Sequence, residues 1–295
     1  KKEEIMSINY ITKHEGQFEK RLMQGSLTAI LETPKVNWLG ARSFELPTIS
    51  VTGYKAHTRS KGYNAGTVSN DKNVYTLGFD RDVEFFVDTA DVDETNQELS
   101  AANISNTFIS EHATPEVDAY RFSKIATAAI TGNHFKEEDS ITPENVYSTL
   151  KAAILPMRKF GASNLVMYVS SEVMDALERS KDFTRSIATT SPQGIDTRVT
   201  SLDGVQLIEV WDDARFKTQF DFTTGFVKAD GGKDINFLIV AKTAVIAKAK
   251  FNSIYLFAPG QHTEGDGYLY QNRLYHDLFV LKSQEDGIYV SHKSA

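Results

Sequence analysis

Residues that could do chemistry are present in this sequence, but in patterns that stop short of a reaction. His262, Glu264 and Asp266 alternate within HTEGDG, and His276-Asp277 follows downstream. Imidazole and carboxylate at that spacing could hold a divalent cation. The plainer reading is a polar loop leading into a strand pair, and it is preferred. Asp80, Asp82, Glu84 and Asp88 form a second acidic row, which could also face a cation but is more simply the solvated side of a strand. Gly231-Gly232-Lys233-Asp234 imitates a phosphate-cradling loop, with Val227 where that loop needs glycine and Asp234 where it needs Ser or Thr. The sequence has no G-x-G-x-x-G after a strand, no G-x-S-x-G and no H-E-x-x-H. Lys55 and Lys61 could react with a neighbour, although solvated lysines are the commoner case. No pair among the many Asp and Glu residues stands out for glycoside chemistry. The expectation is a protein that is not an enzyme and holds no cofactor and no resident metal.

Composition points the same way. The chain of 295 residues has no cysteine, which removes disulfides, thiol catalysis and thiolate metal sites. Its hydrophobic content of 41% is enough for a large core. A net charge of −7 gives no general surface for nucleic acid. No apolar run reaches the roughly eighteen residues of a membrane helix, and no signal-peptide pattern opens the sequence.

The elements that would position any site begin with a long extended segment, Phe44 to Asp88. FELPTISVTGY reads as one strand arm and VYTLGFDRDVEFFVD, from Val74, as a second, with a polar, glycine-marked tip between them. Phe79, Arg81, Val83, Phe85 and Val87 alternate with Asp80, Asp82, Glu84, Phe86 and Asp88, the period of a half-buried strand. A two-stranded ribbon is marginal alone, so its packing partner is expected on another copy of the chain. Arg59, Lys61, Tyr63, Asp71 and Lys72, at or near the tip, are the candidate contacts between subunits, with a solvated loop as the alternative. Residues 1–42 read as an arm, either free or docked on a neighbour.

Helices follow. Thr95 to Glu98 is a capping box, and Thr114-Pro115 a second start signal. Phe122, Ile125, Ala126, Ala129 and Ile130 form a helical stripe that Gly132-Asn133 should end. Thr142-Pro143 should open a helix with Val146, Leu150, Ala153, Ile154 and Met157 on its apolar face. LVMYV reads as a buried strand, Ser171 as the cap of the next helix, Lys181 to Ser201 as an exposed loop, and Asp203-Gly204 as a turn into another strand. The tail is β-rich: INFLIV, TAVIAKA and SIYLF, then Tyr268 to Leu281 and Gly287 to Val290. The class is α+β.

The order of these elements, and the segments FDRDVEFFVDTADVDETN, PEVDAYRFSKIA, ITPENVYSTLKAAILPMRKFG, VMYVSSEVMDALERS, LDGVQLIEV, INFLIVAKTAVIA and YQNRLYHDLFVL, resemble tailed-bacteriophage major capsid proteins of the Hong Kong 97 type, in a group from phages of Gram-positive bacteria. The resemblance runs from about Phe44 to Val290. It implies an N-terminal arm (1–42), an extended loop lying over a neighbouring subunit (43–92), a peripheral domain of spine helix and β-rich tail (93–144 and 235–295), and an inserted α/β axial domain (145–234). It implies an icosahedral shell of pentamers and hexamers around double-stranded DNA, which is enclosed without sequence-specific binding. Portal and scaffolding proteins would be partners. The shell would be assembled in the bacterial cytoplasm and end in the virion, with no membrane involved. The Lys–Asn cross-link of some family members matches no positions here. The alternatives are an encapsulin-type compartment shell, another virion structural protein, or a soluble α/β hydrolase or metal enzyme.

Overall fold

The computed structural model describes residues 26–33, 36–40, 42–57, 63–94, 101–181 and 199–294. The expected capping box at Thr95, nearly all of the Lys181–Ser201 loop and most of the N-terminal arm lie outside them.

After a 3₁₀ turn at Ala29–Leu31, the short strand β1 (Asn37–Trp38) leads into β2 (Ser43–Val51). β3 (Val68–Thr76) returns antiparallel to β2, in register from Ser43 opposite Thr76 to Val51 opposite Val68. β4 (Phe79–Asp88) then joins a different sheet. The expected second arm is therefore two strands. The break is at Leu77-Gly78, where the buried Asp277 accepts the Gly78 N–H (2.8 Å) and the Tyr275 hydroxyl donates to the Leu77 carbonyl (2.8 Å). These bonds pin the chain to the tail and turn it out of the hairpin.

The short helix α1 (Thr89–Glu94) follows β4, and further on α2 (Ala101–Phe108), a π turn (Ile109–Ala113) and α3 (Thr114–Thr131) run on without a break. Thr114 does not start a helix: Ala113 and Thr114 both have helical backbone angles. Pro115 is accommodated because it has no N–H to donate and sits just after the widened turn. The expected stop is real. Asn133, at φ 60°, takes the left-handed position, and its N–H reaches Ile130 while that of His134 reaches Ala129.

β5 (Phe135–Glu137), α4 (Val146–Ile154) and β6 (Leu165–Ser170) come next, then α5 (Ser171–Arg179), whose cap is Ser170 rather than Ser171. Asn145 precedes α4, and its side chain accepts the Thr142 N–H. β7 (Ser201–Leu202) and β8 (Val205–Val210) form a tight hairpin, with Asp203 and Gly204 both at positive φ as a turn of that twist requires. A small antiparallel pair, β9 (Phe220–Asp221) and β10 (Val227–Lys228), precedes β11 (Ile235–Ala241). TAVIAKA and SIYLF merge into one bulged strand, β12 (Val245–Phe257), paired with β13 (Gly267–Val280), and β14 (Ile288–His292) closes the chain.

The main sheet has the order β5-β14-β11-β6-β8-β7. Every residue of β6 and β11 is buried, which explains why these segments read as unbroken apolar runs: both faces of the sheet are covered. Leu165, Met167 and Val169 meet α4 and α5 through Leu150, Ile154 and Leu177. Val166 and Tyr168, pointing the other way, meet Phe122, Ile125 and Ala129 of α3. The sheet thus runs across position 234/235, where the sequence suggested a division between units: β11 of the tail is the hydrogen-bonded partner of β6 in the inserted block, and β14 pairs with β11 and β5. A second, antiparallel sheet, β12-β13-β4, lies beside α2 and the π turn, with Val83, Phe85, Phe108, Ile109, Ile254 and Tyr270 between them.

The last part of the N-terminal arm docks on its own subunit. Asp118 on α3 is fully buried and accepts from Ser26 Oγ (2.6 Å), Leu27 N (3.0 Å), Thr28 N (3.1 Å), Thr28 Oγ1 (2.6 Å) and Arg215 Nη1 (3.3 Å). These donors satisfy a carboxylate that is otherwise shut away from water. Removing it strands the amides and hydroxyls of Ser26–Thr28 and takes one carboxylate partner from the partly buried Arg215. Asp118→Ala is expected to lower the unfolding free energy by roughly 3–5 kcal/mol, measured by denaturant titration.

Candidate functional site

The β2–β3 hairpin is fixed at its base and bare along its length. Phe44, fully buried, stacks on Tyr75 (5.6 Å) and meets the edges of Trp38 (5.6 Å) and Phe279 (5.7 Å). The Lys250 ammonium sits over the Trp38 ring at 3.8 Å. Beyond this cluster β2 and β3 are each other's strand partners. The register sorts their side chains. Phe44 and Tyr75 point to the anchored face, whereas Pro47, Ile49, Val51, Val68 and Val74 share the opposite one with Asn70 and the Glu45–Lys72 pair. On that face Ile49 is 69% exposed, Val51 67% and Val68 73%. β1 pairs with Phe44 and Glu45, so among the described residues the outer edge of β2 has no strand partner from Leu46 onward; Pro47, which has no N–H, sits on that edge.

The tip is held by its own polar contacts. Thr52 and Thr67 bond reciprocally, Lys55 Nζ donates to the Ala65 carbonyl (2.9 Å) and Asn64 Nδ2 to that of Ala56 (2.8 Å). Tyr63 is fully exposed, as is Tyr54. Lys72 lies on β3 rather than at the tip, paired with Glu45 across the hairpin at 2.8 Å, and Asp71 is its neighbour in the strand, opposite Thr48. Arg59 and Lys61 fall outside the described residues. The sequence reading expected the ribbon to bury an apolar face on a neighbour but did not name the residues that form it. Its signal was the β-branched composition of FELPTISV and of Val68 and Val74, but the sides cannot be sorted without the register.

The candidate chemical residues are put to structural use. His262 Nε2 bonds the Gly267 carbonyl (2.8 Å) and its Nδ1 accepts the Glu264 N–H (3.2 Å). His276 is buried, and its neighbour Asp277 accepts from Tyr120 Oη (2.8 Å) and Gly78 N. The acidic row of β4 faces outward, as its alternation suggested. Arg273 on β13 grips Asp80 through Nε (3.0 Å) and Nη2 (2.6 Å), and Gln271 donates to Glu84 (2.5 Å). Lys233, in the glycine turn, pairs with Glu137. Among the described residues no three His, Asp or Glu side chains converge as cation ligands would. A groove of about 560 Å³ opens between the β4–β13 pair and the π turn, lined by Phe85, Phe108, His112, Glu116, Asn272 and His276.

No family model matches this sequence, and no curated protein does. Solved structures do. The chain is similar to a structure described as Mycobacterium phage Che8, at 12% identity, over 90% of each chain and with a TM-score of 0.61. It is similar to the asymmetric unit of the bacteriophage PhiM1 mature capsid, at 16% identity, over 88% of this chain and 83% of that one, with a TM-score of 0.59. A virus-like particle from Pyrococcus furiosus matches over 96% and 99% of the two chains, at 11% identity and a TM-score of 0.51. At such identities the likeness is one of fold: the mixed helix-and-sheet subunit is that of phage capsid structures.

Phe44→Ala empties the anchor and is expected to cost about 3–5 kcal/mol in chemical denaturation. The Arg273 guanidinium, first by hydrogen bonding, holds the Asp80 carboxyl below its usual range. Its contribution is therefore present above the ordinary carboxylate pKa and lost as pH falls through the lowered one. Arg273→Gln should return the Asp80 titration toward about 4, read by carbonyl NMR.

Proposed function

We propose that this chain is a major capsid protein of the Hong Kong 97 type, which self-assembles into an icosahedral shell of pentamers and hexamers around double-stranded phage DNA. The observation that carries the proposal is the hairpin: a firmly anchored projection with an apolar side in water, on a subunit with a capsid fold. An exposed apolar face of this kind marks an interaction surface. Here the natural occupant is a second copy of the chain.

In this reading the hairpin, residues 43–76, is the extended loop that lies over a neighbour. Tyr63 and Lys72 contact the neighbour, and Arg59, Lys61 and Asp71 belong to the same contact. The spine of α2 and α3 with the β12-β13-β4 sheet is the peripheral part, and the main sheet with α4 and α5 the axial part. The loop within 181–201 meets its symmetry mates around a capsomer axis. Function is self-association, with no reaction chemistry. A net charge of −7 suits a wall that encloses DNA without gripping its phosphates. Portal and scaffolding proteins are the expected assembly partners, the host cytoplasm the place of assembly and the virion the destination. The likeness to a virus-like particle supports a second reading, a compartment shell of encapsulin type, at the lower TM-score of 0.51. Contents separate the two: DNA in one, protein cargo in the other.

Electron microscopy of the purified chain is expected to show shells or capsomers. Ile49→Asp with Val51→Asp should leave the subunit folded by circular dichroism and abolish those particles. A wild-type chain that stays monomeric under all conditions, or a double variant that assembles as well as wild type, would contradict the proposal.

A further inference from the structure

Of the side chains that carry a buried polar atom with no hydrogen-bond partner among the described residues, two line the same small cavity. Arg121 on α3 is 2% exposed. Its Nη1 donates to Thr28 Oγ1 (3.1 Å) and its Nη2 to Glu32 Oε1 (2.6 Å), while its Nε–H has no acceptor. His276 on β13 is 1% exposed. Phe79 and Tyr120 present ring contacts to it at 5.1 and 5.3 Å, but neither ring nitrogen has a partner. Between the two side chains is a space of about 30 Å³, bordered also by Ser26 and Glu32.

That space is about one water molecule in size, and Arg121, His276, Ser26 and Glu32 are the polar members of a wall that Val117, Ala249 and Leu274 complete, enough for the two to four partners that a buried water needs. A polar group buried without a partner is costly, so a fold that sets two such side chains beside one water-sized space has a ready means of satisfying both. We infer that one water molecule is built into this cavity, accepting the Arg121 Nε–H and donating to a ring nitrogen of His276, with Glu32 and Ser26 as its remaining partners. The imidazole suits the role. Burial, with the Arg121 charge beside it, holds its pKa down to about 3. The ring is therefore neutral at ordinary pH and keeps one lone pair and one N–H. A cation does not fit beside a guanidinium. An anion has no unbalanced charge to find, because Glu32 pairs with Arg121 and Asp118 lies against the same Thr28.

The site joins three parts of the fold: the docked segment Ser26–Thr33, the spine helix α3 and strand β13. His276 also borders the 560 Å³ groove, as do Val117 and Leu274. The water therefore tightens the docking of the arm in a way the direct Asp118 and Arg121 bonds alone do not.

The test is a crystal or particle density map at a resolution that shows ordered waters, for wild type, His276→Gln and His276→Leu. One peak is expected within about 3.2 Å of Arg121 Nε and of a His276 nitrogen, retained in His276→Gln and lost in His276→Leu. Hydrogen–deuterium exchange gives an independent reading. Amides of residues 26–33 should exchange on the order of tenfold faster in His276→Leu than in wild type, with His276→Gln close to wild type. A wild-type map with well-ordered neighbours and no peak, a His276 ring bonded instead to a protein atom, or equal exchange in all three proteins would overturn the inference.

Discussion

A strand face whose apolar side chains stay exposed among the described residues is the constraint on which the rest of this structure depends. Covering Ile49, Val51, Val68 and Val74 is worth about 1.5–3 kcal/mol for each fully buried side chain. Association consumes much of that in lost translational freedom and side-chain ordering. One hairpin contact is therefore weak, and it becomes useful when symmetry repeats it around a closed ring. A heterologous contact of this sort, projection on one copy and receiving surface on the next, generates rings and shells rather than isolated dimers. It works only if the projection leaves its subunit at a fixed angle. The aromatic cluster of Phe44, Tyr75, Trp38 and Phe279 supplies that fixity, and the doubly covered main sheet supplies the rigid body behind it.

Polar groups in the interior serve the same end. Asp277 ties the Leu77-Gly78 break and the spine helix to one strand through Gly78 N and Tyr120 Oη. Asp118 and Arg121 tie the N-terminal segment to the spine. Each of these side chains joins elements far apart in sequence, so that the base of the hairpin, the spine and the segment Ser26–Thr33 are tied to one another. Bonds with this directionality specify a single arrangement where apolar packing alone would allow several. The residues that first suggested chemistry are used as fasteners. Arg273 and Gln271 cross the acidic row of β4, and His262 closes its own loop.

Local pattern made much of this legible. The alternation Phe79 to Asp88 announced a half-covered strand, and LVMYV and INFLIV announced strands covered on both sides. The stripe on α3 and the Gly132-Asn133 stop were visible as well. What was not legible was pairing at long range. β4 read as the second arm of the hairpin because it follows β3 directly, and only the pairing of Phe79 with His276 and its successors shows that it belongs to the tail sheet. For the same reason the division between units was set at 234/235, although β11 lies beside β6. The π turn has no signature beyond the proline it accommodates. At the candidate site the exposed Tyr63 and the basic tip were apparent from residue type. The apolar side of the hairpin needed the register, because a shift of one residue would exchange its faces.

The claim that most needs testing is that this bare face is covered by another copy of the chain. Oxidative footprinting of free subunits and of assembled particles, followed by mass spectrometry, measures that directly. The account predicts that Ile49, Val51 and Val68 are labelled readily in the free subunit and become protected in particles, whereas the outward Asp80–Arg273 region changes little. Equal labelling of the hairpin in both states would contradict it.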